Sequence, residues 1–159
     1  TIKVGDAVTP MKLDLTATFV VAGAVATRDF MPVHHDRDYA ATQGSPNIFL
    51  NILSDTGFCT RFLTDWAGPE AMVRKTAIRL GVPAFAHTKL RYTGSVVAKA
   101  QAGGEGLVEV QFRDTLIPEV AENLPGMQRP SPDTIPFSAD SMPKAYTLIR
   151  LLYRYVNPE

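Results

Sequence analysis

The chain has 159 residues with 16 basic and 16 acidic side chains, so its formal charge is balanced. This length suits one domain, and a neutral chain without a Lys/Arg-rich block argues against a nucleic-acid partner. No apolar run approaches the roughly 20 residues of a membrane span, and the opening TIKVGDAVTP lacks the features of a signal peptide. Cys59 is the only cysteine, so no internal disulfide can form, and a reducing cytoplasm is the expected location.

The first third of the chain predicts one strand and two short helical segments. Residues 15–22 are rich in Thr, Val and Phe, which favours a strand, and residues 23–27 are expected to form a short helical turn. Asp36 is a typical N-cap for a short helix over DRDYAATQ, and Gly44 is placed to end that helix.

A long helix is predicted between residues 45 and 66, and two starts are possible. Ser45 precedes a proline, which is common at the first helical position, whereas Asn51 is a second candidate N-cap with Asp55 in the first turn. Apolar residues on several sides of this helix predict that it is mostly buried, and Gly68 followed by proline should end it. Asp55 and Asp65 are expected to be charges on its surface.

Three stretches after this helix are predicted to be strands, residues 72–80, 88–100 and 106–114, the last two joined by a hairpin-like loop. One buried helix against an antiparallel sheet is an α+β arrangement. Residues 117–143 are dense in proline, which favours an extended arm over regular structure. Residues 145–156, AYTLIRLLYRYV, fit a strand and a helix equally well. The sequence thus divides into a domain over residues 1–116 and a segment over residues 117–159 whose structure it leaves open.

The segment ATRDFMPVHHD, residues 26–36, carries two of the three histidines. A carboxylate, Asp29, and an imidazole, His34, on a segment stiffened by Pro32 can together activate a water molecule. From spacing alone, the alternatives are a turn or capping role for Asp29 and a structural hydrogen bond for His34. His35 is expected to be a surface neighbour. Adjacent residues of an extended segment point opposite ways and no Cys or Glu cluster supports the pair, so no metal is expected.

These residues resemble the MaoC-like, or hydratase-2-type, enoyl-CoA hydratases. That family carries a D-x-N-P-x-H segment followed by H-x-D, and a helix entered through P-I-x-H-G. Here the first element is DFMPVH, residues 29–34, the second is HHD, residues 34–36, and the third aligns as NIFLNI, residues 47–52. The stretches ATRDFMPVHHDRDYA, GSPNIFLNILSDTG and TDWAGP are similar to one branch of the family. That branch contains the small subunits of actinobacterial hydratases that act on steroid side-chain enoyl-CoA esters.

The resemblance covers about residues 4–116 and implies a hot dog fold, in which an antiparallel sheet wraps around one long buried helix. It implies a hydro-lyase that adds water across the α,β double bond of an acyl-CoA, with a steroid side-chain enoyl-CoA of cholesterol or steroid catabolism as the substrate class. CoA is then part of the substrate, and no separate cofactor is expected. The expected partner is a second, different MaoC-like chain in a heteromer such as a heterotetramer, with a homodimer as the alternative.

The resemblance also implies roles for individual residues. Asp29 would activate the water, and His34 would share the acid–base work and orient the water. The backbone amide of Ile52 would stabilise the enolate oxygen, because first-turn amides are unpaired and lie at the positive end of the helix dipole. This role favours the helix start at Asn51. Substrate contacts are expected from three side chains, Met31, Asn51 and Arg79.

Two departures from the family pattern lie beside the expected site. Met31 stands where most of the family has asparagine, which removes a polar contact and makes room for a bulky apolar substrate. Asn51 and Ile52 replace histidine and glycine at the helix entrance, so the backbone there has less conformational freedom. Arg79 is a candidate for contact with the CoA phosphates, with a solvated strand face as the alternative.

Two other functions stay open from the sequence. A hot dog thioesterase would hydrolyse the thioester instead of hydrating the double bond. A non-catalytic structural subunit would leave the catalytic pair to its partner, although the presence of both Asp29 and His34 speaks against that role.

Overall fold

The computed structural model describes residues 2–102 and 105–117, and the backbone of residues 147–153. In chain order these residues form strand β1 (Ala7–Leu15), helices α1 (Ala17–Ala26), α2 (Arg37–Thr42) and α3 (Ile52–Ala67), and strands β2 (Ala71–Ala77), β3 (Thr88–Ala102), β4 (Glu105–Ile117) and β5 (Thr147–Tyr153). A single 3₁₀ turn over Pro32–His34 lies between α1 and α2. No helix in this described part has both the length and the apolar character that crossing a membrane requires.

The five strands form one sheet in the order β1-β3-β4-β5-β2, and each neighbouring pair is antiparallel. The β3–β4 pair is the longest, with Lys89 opposite Ile117 at one end and Ala102 opposite Glu105 at the other. The predicted strands over residues 72–80, 88–100 and 106–114 are therefore confirmed with ends shifted by a few residues. The predicted α+β arrangement of one long helix on an antiparallel sheet is also confirmed.

The core lies between α3 and the inner face of the sheet. Phe62 of α3 sits between two aromatic rings of the sheet, with ring centroids 5.8 Å from Tyr92 and 5.9 Å from Phe112. Leu63 and Cys59 of the same helix are also buried. Burying an aromatic or leucine side chain contributes about 1.5–3 kcal/mol. These contacts therefore fix α3 on the sheet and so fix the position of its first turn.

Helix α1 occupies residues for which the sequence predicts a strand. Leu15 ends β1, and the rest of the predicted strand forms the first half of α1, so that prediction is wrong. One cause is Thr16, whose Oγ1 accepts a hydrogen bond from the N–H of Phe19 at 3.0 Å and caps the helix. Such a cap contributes about 1 kcal/mol, which offsets part of the cost of placing Val and Phe in a helix, and the burial of Val20 and Ala24 adds to it.

Gly23 lets α1 approach the beginning of α3 closely. A Cβ atom at this position would lie 2.6 Å from Oγ and 3.3 Å from Cβ of Ser54. Because Ser54 is in the first turn of α3, this contact brings the end of α1 beside the start of α3. The two helix ends that meet here carry the site described below.

The structure shows where α3 begins, and it corrects the prediction that Asp55 lies on the surface. Asn51 is the N-cap, and its Oδ1 accepts from the N–H of Ser54 at 3.1 Å, so the helix begins at Ile52 and not near Ser45. Asp65 is exposed as predicted, but Asp55 is only 8% exposed. Its Oδ1 accepts a hydrogen bond from Tyr92 Oη at 3.1 Å, which is a partner 37 residues away.

Residues 147–153 form a strand, so the structure selects one of the two alternatives for residues 145–156. The backbone of β5 pairs with β4 on one side and with β2 on the other, where it completes the sheet. Most of the predicted proline-rich arm over residues 117–143 lies outside the described residues. The division of the chain after residue 116 stays a prediction.

Candidate functional site

Asp29 is positioned by the end of α1. The N–H of Asp29 donates to the carbonyl of Ala24 at 2.9 Å, and the N–H of Arg28 donates to the carbonyl of Val25 at 3.1 Å. This pair of bonds is the Schellman motif, which requires a left-handed residue after the helix. Arg28 adopts that conformation, with φ of 58°. The chain therefore turns sharply at Arg28 and directs Asp29 away from α1.

His34 is positioned by the 3₁₀ turn and by a contact across the chain. Pro32 begins the turn, and the N–H of His34 closes it on the carbonyl of Met31 at 3.1 Å. The ring Nδ1 lies 2.8 Å from the carbonyl oxygen of Phe49, and the two rings meet edge to face at 4.9 Å. Phe49 is itself held in a short antiparallel bridge with Phe85. The imidazole is thus fixed in both position and orientation.

The structure brings Asp29 and His34 together, with Nε2 of His34 3.4 Å from Oδ2 of Asp29. A carbonyl oxygen can only accept, so Nδ1 of His34 carries the hydrogen that points at Phe49. In the neutral ring Nε2 is then an acceptor, and the ionised carboxylate of Asp29 is also an acceptor. A water molecule that contacts both acceptors can donate one hydrogen to each.

The charge of Asp29 is stabilised by its surroundings. The hydrogen bond from Asn51 Nδ2 to Oδ2, at 2.9 Å, lowers the pKa of Asp29 below its ordinary value of 3.8. Partial burial opposes this shift, and the N–H of Met31 and the imidazole of His34 add to it. The Asp29 side chain is 25% exposed, against 9% for His34. The carboxylate is therefore ionised at neutral pH and accessible from solvent.

The first turn of α3 adjoins this pair. Ile52 is 52% exposed, and its N–H donates to no acceptor among the residues that the structure describes. The first N–H groups of a helix have no partner inside the helix, and they lie at the positive end of its dipole. The site thus combines a carboxylate, an imidazole and an unpaired amide at a helix start.

The other predicted site residues have different placements. Met31 is 51% exposed and follows Asp29 closely, as a substrate contact requires. Arg79 is exposed in the loop between β2 and β3 and forms no hydrogen bond or ion pair with the described residues. A later part of the same loop lies beside the site, because the carbonyl of Ala84 accepts a hydrogen bond from the N–H of Leu50 at 2.9 Å. His35 is exposed, as predicted. The substrate roles of Met31 and Arg79 stay predictions.

Asn51 does not have the surroundings expected of a substrate contact. Its side chain is fully buried, and each of its polar groups is used within the chain. Nδ2 donates to Asp29 Oδ2 and to Thr27 Oγ1 at 2.7 Å, while Oδ1 accepts from the helix. Asn51 therefore contacts the Asp29 carboxylate and leaves no polar atom free for a ligand.

The sequence did not predict two residues that contribute to the site, Thr27 and Phe49. Thr27 gives its hydroxyl hydrogen to the carbonyls at the end of α1 and accepts from Asn51, and Phe49 orients His34 through its backbone carbonyl. A backbone carbonyl has no side-chain signature, so only the fold reveals it. Among the described residues, no group of three or more His, Cys, Asp or Glu side chains converges in a way that would hold a metal ion.

No family model matches the chain. It is 47% identical over 115 residues to the 3-oxo-4,17-pregnadiene-20-carboxyl-CoA hydratase beta subunit of Mycobacterium tuberculosis (strain ATCC 25618 / H37Rv), a match that covers 71% of this chain and 86% of that protein.

Solved structures show the same fold. The ChsH1-ChsH2 complex from Mycobacterium tuberculosis matches with 35% identity and a TM-score of 0.70, over 97% of this chain and all of that one. The (R)-hydratase from A. caviae involved in PHA biosynthesis matches at 14% identity with a TM-score of 0.70, over 95% of this chain and 96% of the other. The MaoC-like dehydratase from Rhodospirillum rubrum matches at 14% identity with a TM-score of 0.65, over 97% and 94%. The last two likenesses concern the fold alone. With the 47% identity to a hydratase subunit, the chain belongs to the MaoC-like hydratases, which are hydro-lyases with the hot dog fold.

Proposed function

We propose that this chain is a subunit of an enoyl-CoA hydratase, which adds water across the α,β double bond of an acyl-CoA thioester. The observation that carries the proposal is the pair of proton acceptors, Asp29 and His34, 3.4 Å apart at the exposed start of α3. In this proposal one water molecule contacts both acceptors and donates a hydrogen to each. A water held in this way has its oxygen lone pairs free to attack an electrophilic carbon.

The reaction proceeds by proton transfer through this pair. The water oxygen bonds to the β-carbon while Asp29, assisted by His34, takes one of the water protons. The π electrons move toward the thioester and give an enolate, which then takes a proton from the pair at its α-carbon. One water is added, and the pair returns to its starting state. Each acid–base contribution is worth roughly 10²- to 10⁴-fold in rate.

The amide of Ile52 is the donor that we assign to the enolate oxygen. A free first-turn N–H adds a hydrogen bond to the favourable end of the helix dipole, where negative charge is stabilised. Removal of one such donor typically costs 10²- to 10³-fold in rate, so its contribution is comparable to that of the acid–base pair.

A steroid side-chain enoyl-CoA is the substrate class that we propose. The related beta subunit is named for a pregnadiene carboxyl-CoA, which is a steroid thioester. The apolar surroundings of the pair support a large apolar acyl group, since four exposed hydrophobic side chains flank it, Phe30, Met31, Ile52 and Leu53. Large exposed apolar patches are typical of binding surfaces.

A second hot dog chain is the partner that we propose, in a heteromer. The support comes from the ChsH1-ChsH2 complex, whose matched chain is 35% identical to this one over its whole length. Co-expression with candidate partner chains followed by native mass spectrometry tests this assembly. A heteromer is the expected result, whereas a self-sufficient homodimer would contradict it.

The activity is tested with the purified complex and a matched series of enoyl-CoA esters. We expect loss of the conjugated enoyl absorbance and a product heavier by one water, with kcat/KM highest for the steroid side-chain ester. Release of free CoA thiol without hydration would identify a thioesterase instead. The Asp29→Asn complex, prepared in parallel, controls for contaminating host hydratases.

A further inference from the structure

Asn51 links the catalytic carboxylate to the two helices that meet at the site. Its Nδ2 donates to Asp29 Oδ2 at 2.9 Å and to Thr27 Oγ1 at 2.7 Å, and its Oδ1 accepts from Ser54 N at 3.1 Å. Thr27 directs its own hydroxyl hydrogen at the carbonyl of Gly23, 2.8 Å away in the last turn of α1. Donation therefore runs from the first turn of α3 to Asn51, and from Asn51 to Asp29 and, through Thr27, to α1.

The helix cap fixes the orientation of the Asn51 amide. The N–H of Ser54 can only donate, so the group of Asn51 that faces it must be the carbonyl oxygen Oδ1. The amide nitrogen Nδ2 is then forced to face Asp29. If the amide were flipped, its nitrogen would face the N–H of Ser54 and its oxygen would face the carboxylate of Asp29. Neither pair can form a hydrogen bond, so the flipped orientation is strongly disfavoured.

The geometry points to Asn51 as a positioning residue, whose hydrogen bond to Oδ2 holds the Asp29 carboxylate against Nε2 of His34. Oδ2 has Asn51 Nδ2 at 2.9 Å and His34 Nε2 at 3.4 Å, whereas Oδ1 has only the long 3.4 Å contact with the N–H of Met31. This inference rests on the proposed hydration and adds a residue to it. Asn51 does not touch the substrate and acts through Asp29.

Few other charged groups near Asp29 can stabilise its ionised carboxylate. His34 faces it from the 3₁₀ turn, and helix α1 carries no charged residue. Asp55, the acid in the first turn of α3, is bonded to Tyr92 of the sheet. Arg28 precedes Asp29 in the chain but forms no ion pair with it among the described residues. Asn51 is thus the neutral donor whose removal changes Asp29 most directly.

The test uses two substitutions that keep the helix cap and remove the donor to Asp29. Asn51→Asp retains a good N-cap and almost the same shape but places a second carboxylate against Asp29, and Asn51→Ser keeps the cap without the added charge. In both complexes we expect the titration of the Asp29 carboxyl to move up by about one pH unit or more. Thr16→Ala, which removes the cap of α1, should lower stability and leave that titration in place.

This readout does not depend on activity. The titration of the Asp29 carboxyl is followed by ¹³C NMR in the complex with this chain labelled, and Asp29→Asn identifies the signal. An upward shift of that titration in both Asn51 variants is the expected result. An unmoved titration in Asn51→Ser would overturn the inference, even if Asn51→Asp fails to fold. A wild-type complex without hydratase activity would instead refute the proposed function, and the NMR titration would still decide on Asn51.

Discussion

Nδ1 of His34 lies 2.8 Å from the carbonyl oxygen of Phe49, and this contact determines what the other ring nitrogen can do. Because the carbonyl accepts the Nδ1 hydrogen, the neutral imidazole presents a lone pair at Nε2, toward Asp29. The backbone of a residue fifteen positions away thereby selects the tautomer that can bind a donating water. A backbone group performs the orienting role that a carboxylate performs in many acid–base sites.

Substitution of His34 by asparagine separates this anchoring role from the catalytic one. The Asn amide nitrogen can replace Nδ1 as the donor to Phe49, but nothing replaces Nε2. We expect the rate of hydration to fall by roughly 10²- to 10⁴-fold while the melting temperature and the assembly stay near those of the wild type. His35→Asn, at an exposed neighbouring imidazole, is the matched control and should retain activity. Near-normal hydration by His34→Asn would show that Nε2 takes no part in the reaction.

The close contact of α1 with α3 predicts opposite effects for two glycine substitutions. Gly23→Ala should lower the free energy of unfolding by about 1–2 kcal/mol, because its Cβ would meet Ser54 at 2.6 Å, and overpacking of this kind outweighs the gain in helix propensity. Gly57→Ala, in the middle of α3 with open space around it, should raise the free energy of unfolding by up to about 1 kcal/mol.

Chemical denaturation of the single and double variants checks this contact. The loss caused by Gly23→Ala should shrink in a Ser54→Ala background, which removes the hydroxyl that the new methyl group meets. An interaction energy of at least about 0.5 kcal/mol is expected for residues in direct contact. Equal losses in the two backgrounds would mean that the helix ends are not packed in this way.

The buried carboxyl of Asp55 predicts an unusual pH dependence of stability. Burial, and then the proximity of Asp114, raises the pKa of Asp55 from 3.8 to about 6, while the hydrogen bond from Tyr92 opposes the shift. Between these two pH values the folded chain binds more protons than the unfolded chain, so stability falls as the pH rises from about 4 to about 6. The loss is roughly 3 kcal/mol for a shift of this size.

Asp55→Asn should reduce this decline, because the amide does not ionise and can still accept from Tyr92, while burial still raises the pKa of Asp114. We expect the variant to be at least as stable as the wild type above pH 6, with a flatter profile between pH 4 and pH 6 in denaturant unfolding. Asp65→Asn is the matched control on the same helix, since its exposed pair with Arg61 at 3.2 Å contributes less than about 1 kcal/mol. A wild-type stability that rises across this range would contradict the raised pKa.

Much of the fold and the central pair of the site were predictable from the sequence, because the signals are local. Residues 88–102 and 105–117 have the composition of strands, and Asn51 is an N-cap by residue type. Asp29 and His34 share one short segment with a family pattern. The turn that begins at Pro32 keeps Asp29 and His34 close in space, because they are only five positions apart in the chain.

The errors come from contacts between residues far apart in the chain. Asp55 is placed as a surface charge by its position on the helix, but Tyr92 supplies a buried donor from the sheet. Residues 15–22 look like a strand because Thr, Val and Phe favour one, and the cap at Thr16 together with the packing of Gly23 on Ser54 decides for a helix. The contact of Asn51 with Asp29 joins residues 22 positions apart and has no sequence signature.

The most direct test of the proposed catalytic pair, Asp29 and His34, is the hydration rate of the Asp29→Asn complex under saturating enoyl-CoA. Asparagine preserves the size of the side chain and removes the base, so the assembly and the melting temperature should stay near those of the wild type. We expect kcat to fall by roughly 10²-fold or more, and Asp38→Asn, an exposed acid of α2, should leave it unchanged. A folded Asp29→Asn complex that hydrates the substrate within a few-fold of the wild-type rate would contradict the assignment of Asp29 and His34 as the groups that activate water.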